Sequence, residues 1–459
     1  MTEGSMDKTL DDTTHHQPPS LKRRVLHGSI WTLGGHAVGQ VIRLGSNLIL
    51  TRLLFPEAFG LMALVYTVIS GLEMLSDTGV GQSIIQSKQG DDPKFLNTAW
   101  TVQAIRGVIL WLVACLLAWP AATFYNEPML LQLLPVVGLN TLMMGLLSTK
   151  WAFANRHLSL KRLTAIELGT QVLGIVVMIT CAGSAKLLNL PRDTAIWSLA
   201  IGALTSGLTK LILSHTYLPG QNNRFYWDQD ALKEIQQFGR WIFVSTIMGF
   251  LVIQGNNLVI PKLLSIGFLG VYSVALNLSR ITNEVVSMMG SRVLFPSYSE
   301  LARDRPERLY PVLRRSRLVL NLFNLAVSLV FIFFGGAIVN FLYDDRYADA
   351  GWQLQLLSLG ALVTLIGSSY TMVLLAQGRT LLMSIFIAIL AGTQFAGMFA
   401  GYYFAGEHGV VMGIAASGWL AYPIQALCLA PISLWQPEVD LPLIVLASGI
   451  GAYVLLQSM

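Results

Sequence analysis

The chain strings together runs of about 20 mostly apolar residues, the length an α-helix needs to cross a bilayer, and joins them by short polar connections. Such runs lie near residues 26–50, 59–84, 97–122, 130–152, 163–183 and 194–216, then near 237–262, 266–294, 317–342, 351–377, 380–404 and 409–433, with a last one at 441–457. So dense a succession fits an all-α, polytopic membrane protein. Composition agrees: 54% of the 459 residues are hydrophobic and 12% charged, about half the charge of an average soluble domain. The net charge of +5 argues for membrane topology and against nucleic acid as a partner, because the basic residues sit between apolar runs.

Those connections alternate in charge. One set carries Lys22, Arg23, Arg24, Lys88, Lys94, Lys150, Arg156, Lys161, Arg162, Arg224, Lys233, Arg240, Arg303, Arg305, Arg308, Arg314, Arg315, Arg317 and Arg379. The other holds Arg52, Lys186, Arg192, Lys262 and Arg346. The imbalance predicts a cytoplasmic N-terminus. Residues 1–25 read as a disordered cytoplasmic tail, with His15 and His16 solvated, and no cleavable signal is expected before the first span. Residues 26–216 read as an N-terminal six-helix lobe, 217–236 as a cytoplasmic linker, 237–433 as a C-terminal six-helix lobe and 434–459 as an additional helix. Cys115, Cys181 and Cys428 fall within apolar runs, without metal-ligand spacing.

A repeat links the two halves. Residues 46–68 read SNLILTRLLFPEAFGLMALVYTV and residues 256–278 read NNLVIPKLLSIGFLGVYSVALNL. An offset of 210 pairs Asn47 with Asn257, Arg52 with Lys262 and Gly60 with Gly270; carried back, it pairs Trp31 with Trp241, Gly39 with Gly249 and Gly45 with Gly255. A second echo is LQLL at 131–134 and 354–357. Six intervening helices give both copies one orientation. The expected architecture is two parallel six-helix bundles, 12 core helices in all, that rock around a site between them, plus at least one C-terminal helix.

An ionisable group at the centre of a span costs about 2.5–3.5 kcal/mol on insertion scales and so marks a cavity by default. His36, Gln40, Arg43 and Asn47 follow steps of 4, 3 and 4 and share one helix face. Glu73 and Asp77 form an i, i+4 pair; Asn277, Arg280, Glu284 and Ser287 share a face of the eighth span. Gln103 and Arg106, then Thr164, Glu167 and Gln171, then Gln254, Asn256 and Asn257, and the stripe Asn321, Asn324, Ser328 complete the set. Arg292, near a helix end, reads as snorkelling. Each group has a plainer alternative: hydrogen bonds that only glue helices together, or a pair that neutralises itself. Arginine binds phosphate in a bidentate fork, and amides suit hydroxylated ligands. Arg43, Arg106 and Arg280 with Gln40, Asn47, Asn257 and Asn277 are therefore the candidate substrate ligands for an anionic, sugar-bearing molecule. Glu73, Asp77 and Glu284 are the candidates for coupling to an H+ or Na+ gradient.

Neither a nucleotide-binding nor a hydrolase motif is present, so no catalytic residue, metal or cofactor is expected and transport is favoured over enzymatic activity. LTRLLFPEAFGLMAL at 50–64, SDTGVGQSIIQ at 76–86, GVYSVALNLS at 270–279 and RVLFPSYSEL at 292–301 resemble the oligosaccharide flippases (Wzx type) of the multidrug/oligosaccharidyl-lipid/polysaccharide exporter superfamily. The resemblance runs clearly to about residue 300 and more loosely to about 430. It implies a protein of the bacterial inner membrane that moves undecaprenyl-diphosphate-linked oligosaccharide from the cytoplasmic to the periplasmic leaflet by alternating access, for O-antigen or exopolysaccharide synthesis; a two-lobe transporter can work as a monomer. It also implies a cationic cavity, to which Arg43, Arg106 and Arg280 would contribute, and polysaccharide polymerase machinery as a downstream partner. The 13 runs depart from the family's simple 12-helix pattern, which leaves the role of 441–457 open. An ion-coupled multidrug or cation antiporter of the same fold is the alternative; it needs cavity carboxylates to outweigh deep arginines.

Overall fold

The computed structural model describes residues 21–77, 79–157, 159–239, 243–290 and 294–458. His15, His16, Arg240, Trp241 and Arg292 lie outside them, as do the side chains of Lys22, Arg23 and Arg24. The described residues form helices α1 (Leu21–Leu53), α2 (Pro56–Leu75), α3 (Val80–Gln86), α4 (Pro93–Tyr125), α5 (Leu130–Gly145), α6 (Lys150–Arg156), α7 (Leu160–Leu187) and α8 (Arg192–Thr216). There follow α9 (Gln229–Gly239), α10 (Phe243–Leu263), α11 (Ile266–Met289), α12 (Phe295–Asp304), α13 (Pro306–Leu342), α14 (Ala350–Ala376), α15 (Thr380–Leu429) and α16 (Pro437–Ser458). Helix α1 begins inside the stretch read as tail, and α9 occupies the stretch read as linker.

Local chemistry sets the helix ends. Pro56 and Pro93 open α2 and α4, where a missing N–H costs nothing. The Asp92 carboxylate accepts from the Lys94 N–H, and the Ser265 hydroxyl accepts from the Phe268 N–H at the start of α11. Helix α15 breaks at Ala405 and Gly406, whose φ of 57° suits glycine. Its two arms fold back on each other. Gly397 lies against Gly413 and Gly401 against Gly409, backbone on backbone, and the Thr393 hydroxyl donates to Ser417 O at 3.1 Å. Small residues allow this approach where lipid supplies no hydrophobic drive between helices.

Among the described residues, seven helices are long and apolar enough to cross a membrane, or eight if the α5–α6 pair, bent by 55°, is one span. Part of the difference from the 13 runs of the sequence is physical. The α15 hairpin enters once although it has two arms. Helices α1 and α11 have the length but carry Gln40 and Arg43, or Arg280 and Glu284. The protein is an all-helical, multi-pass membrane protein.

Helices α1, α7, α8, α5, α4 and α2 pack on one another, as do α10, α11, α13, α14, α15 and α16. Helix α2 joins the two sets by packing on α10 and α11. Gly60 and Gly270 meet at this seam. A Cβ on Gly60 would strike Ile266 O, and one on Gly270 would strike Pro56 O. The offset of 210 turns one contact into the other, Gly60 into Gly270 and Pro56 into Ile266, so a local two-fold passes between the glycines. Deeper along the seam the Gln254 amide donates to the Ser70 hydroxyl at 3.2 Å, and the Asn257 amide to the Thr67 hydroxyl at 3.1 Å.

A buried ion pair ties down α16. Arg317 and Asp440, both fully buried, meet at 2.6 Å. Tyr370 and Tyr422 donate their hydroxyls to the same carboxylate at 2.6 and 2.9 Å. Arg317 also donates to Ser369 Oγ and Gln436 Oε1 and stacks on the Tyr370 ring. Arg317, counted in sequence among the loop charges, is thus an internal residue, paired and hydrogen-bonded as a buried charge must be. The polar stripe on α13 is interior as well: the Asn324 amide donates to Ala361 O at 3.4 Å, gluing α13 to α14.

Candidate functional site: a cavity between the two helix sets

A cavity of about 1060 Å³ lies between α1, α7 and α8 on one side and α10, α11, α14 and α15 on the other. Its α1 lining stops at Arg43 and its α11 lining runs from Leu276 to Met288. The cavity therefore occupies the half of the molecule near the start of α1, here the near face. The far face, where α1, α4, α10 and α13 end, is closed.

The 4, 3 spacing on α1 brings His36, Gln40 and Arg43 to the cavity, and α11 adds Arg280, Asn283, Glu284 and Ser287 from across it. His36 Nε2 stands 4.0 Å from Glu284 Oε2, both half exposed. Arg280 Nη2 donates to Ile253 O at 2.8 Å, which aims its head along α10. The Arg43 guanidinium is exposed and makes no hydrogen bond or ion pair with another described residue. Thr164, Glu167 and Gln171 line the α7 wall, and Gln171 donates to Gly39 O at 2.9 Å, fixing α7 against α1.

Six of the predicted residues lie elsewhere. Arg106 donates to Glu73 O at 2.6 Å and Ser76 Oγ at 3.0 Å, clasping α4 to the end of α2. Glu73 and Asp77 sit at that clasp, and Asp77 accepts from the Gly79 N–H. Asn257 belongs to the α2–α10 seam, and Asn47 reaches the Tyr343 hydroxyl at 3.5 Å on the far face. Asn277 is exposed on α11 outside the cavity lining. A helix face says which residues point together; it does not say toward what. Gln103, for example, donates to Met144 O and serves α4–α5 packing.

Sequence reading missed Lys210, which lines the cavity from α8 and holds its ammonium 4.5 Å above the Trp151 ring. The signal was available: a lone lysine inside an apolar run. Gln394 was missed as well. Its amide donates to Asn256 Oδ1 and, at 3.3 Å, to Val252 O, while Asn256 donates to the Tyr272 hydroxyl at 2.8 Å. The lining thus carries the cations Arg43, Lys210 and Arg280 against the carboxylates Glu167 and Glu284, with amides and hydroxyls between them. Such a surface can hold an anion and hydrogen-bond a hydroxylated group beside it. No group of three or more potential metal ligands occurs among the described residues.

The fold is that of the multidrug and lipid-flipping transporters. The structure superposes on the lipid II flippase MurJ in an inward closed conformation with a TM-score of 0.67, at 12% identity over 93% of both chains. An inward-facing multidrug resistance MATE transporter of the MOP superfamily gives 0.65, at 13% identity over 90% of this chain and 96% of that one. Residues 49–351 match the family described as polysaccharide biosynthesis protein, and the chain belongs to that family. It is 22% identical over 364 residues to the lipopolysaccharide biosynthesis protein WzxC of Escherichia coli K12, covering 78% of this chain and 71% of WzxC. It is 22% identical to a putative O-antigen transporter of Shigella flexneri, over 70% and 78% of the two chains. With the succinoglycan biosynthesis transport protein ExoT of Rhizobium meliloti it shares 26% identity over 57% of this chain and 51% of ExoT. The protein is a membrane transporter of polysaccharide biosynthesis, not an enzyme.

Proposed function

We propose that the protein flips a polyprenyl-diphosphate-linked oligosaccharide from the cytoplasmic to the periplasmic leaflet of a bacterial inner membrane. Two six-helix lobes, 26–216 and 237–433, rock about the α2–α11 seam, and α16 is an accessory helix fixed to the second lobe. The near face is cytoplasmic, in line with the basic connections, and the cavity takes the headgroup from that side. Arg43 and Arg280 hold the diphosphate, while Gln40, Asn256, Gln394 and the hydroxyls engage sugar. The observation that carries this reading is the Arg43 guanidinium, unpaired and facing a cavity rich in amides. A charge held deep in a membrane protein without a partner has a ligand as its physical rationale.

The tail stays in lipid. The two-fold that relates α2–α10 to α11–α1 is broken: α2 packs along α10, whereas α1 and α11 flank the cavity and approach through His36 and Glu284. This looser seam is the route by which a headgroup inside stays joined to a chain outside. Deleting the gene tests the whole reading. The lipid-linked glycan should accumulate on the cytoplasmic face, hidden from a membrane-impermeant glycan label, and wild type but not Arg43→Ala should restore its exposure. Normal export together with lost resistance to cationic drugs would establish the antiporter instead.

A further inference from the structure

The far face is shut by contacts that cross from one helix set to the other, and they come in two related groups. In one, Lys262 at the end of α10 donates to Phe124 O at 2.8 Å and lies 4.6 Å over the Phe124 ring, while the Tyr125 hydroxyl donates to Leu258 O at 3.0 Å. In the other, Arg346, just after α13, donates to Thr51 O at 2.8 Å, while Asn47 reaches the Tyr343 hydroxyl. Each group joins the end of α1 or α10 to the tyrosine-bearing end of α13 or α4.

Phe124 and Thr51 stand in the last turns of α4 and α1. Carbonyls there have no partner within their own helix and carry the negative end of its dipole. A cation from the opposite set therefore supplies the cap that each helix lacks. Both side chains are partly exposed to water, so a released ammonium or guanidinium is rehydrated at little cost. A contact of this kind holds a closed state and still lets go, unlike the buried Arg317–Asp440 pair.

We infer that Lys262 and Arg346 are the latch of the far face: cross-lobe caps on α4 and α1 that hold the cavity closed on that side and must release before it opens there. The inference rests on the alternating-access reading for its role in transport, but not for its test. Lys262, counted in sequence only among the connection charges and paired there with Arg52, thereby becomes a positioning residue for the transport cycle.

The test is thiol labelling in a background with Cys115, Cys181 and Cys428 replaced by alanine and one cysteine placed on the cavity wall, Leu276→Cys. A membrane-impermeant maleimide is applied to intact cells from outside and to inverted vesicles from the cytoplasmic side. With the latch intact, labelling comes from the cytoplasmic side. Lys262→Ala with Arg346→Ala should raise outside labelling about tenfold, the population shift that about 1.4 kcal/mol produces, and lower labelling from the cytoplasmic side. Lys262→Arg should stay closed. Outside labelling unchanged while cytoplasmic labelling persists overturns the latch. If the alanine pair fails to fold, Lys262→Met with Arg346→Met, which keep side-chain length, carry the same two outcomes. Glycan accumulation in the deletion strain tests transport separately, so the latch can fail while that reading stands.

Discussion

Gly60 and Gly270 are 210 residues apart in sequence and meet backbone to backbone. The site of a Cβ on Gly60 is 3.0 Å from Gly270 N, and that of a Cβ on Gly270 is 3.2 Å from Gly60 N. The two halves therefore meet at a point where any side chain must displace main chain. Gly60→Ala and Gly270→Ala should each destabilise by about 1–3 kcal/mol, the usual cost of overpacking. Because the two sites touch, the double variant should not be additive. Thermal unfolding of the detergent-solubilised protein checks both statements.

Arg43→Ala should abolish glycan transport while leaving membrane insertion and thermal stability at wild-type levels, since its guanidinium supports no other described residue. Arg43→Lys should recover only part, because an ammonium lacks the fork that grips phosphate. Complementation of the deletion strain, scored beside membrane-fraction yield, separates the two effects. Normal transport by Arg43→Ala would remove the cationic site.

Arg106→Ala should behave differently although it too sits in a span. It breaks the clasp between α4 and α2, so thermal stability should fall along with yield, and transport per folded molecule should change little. A transport loss at full stability would return Arg106 to the binding site.

Removing one partner of Arg317–Asp440 leaves an unpaired buried charge and should cost about 3–5 kcal/mol. Arg317→Met alone should therefore unfold the C-terminal set of helices, and Arg317→Met with Asp440→Leu should recover much of the loss. Unfolding midpoints and resistance to proteolysis read this out.

Acid should weaken the turn after α13 on the far face. Arg346 hydrogen-bonds the Asp344 carboxylate and holds its pKa below the ordinary value of about 3.9. The depressed folded pKa means that the contribution of this pair to folded-state stability is present above that ordinary value and is lost as pH falls through the folded one. The thermal midpoint of the detergent-solubilised protein should carry a component that falls as pH drops below about 4, and Asp344→Asn should remove that component.

Sequence by itself determined that this chain is a helical membrane transporter of polysaccharide biosynthesis. Apolar runs of spanning length leave few alternatives where every backbone polar group must be satisfied within the segment. The repeat placed Gly60 opposite Gly270 in register, and the 4, 3 spacing on α1 gathered His36, Gln40 and Arg43 on one face. Tertiary structure decided which polar faces meet the cavity. Arg43 and Arg280 reach it, Arg106, Glu73 and Asp77 do not, Lys210 does from a span that drew no attention, and Arg317 turns inward from a run of loop charges. Helical periodicity fixes the angle between side chains on one helix, whereas the rotation of that helix against its neighbours is set by long-range packing, here by glycine contacts and cross-helix hydrogen bonds between residues some 200 positions apart.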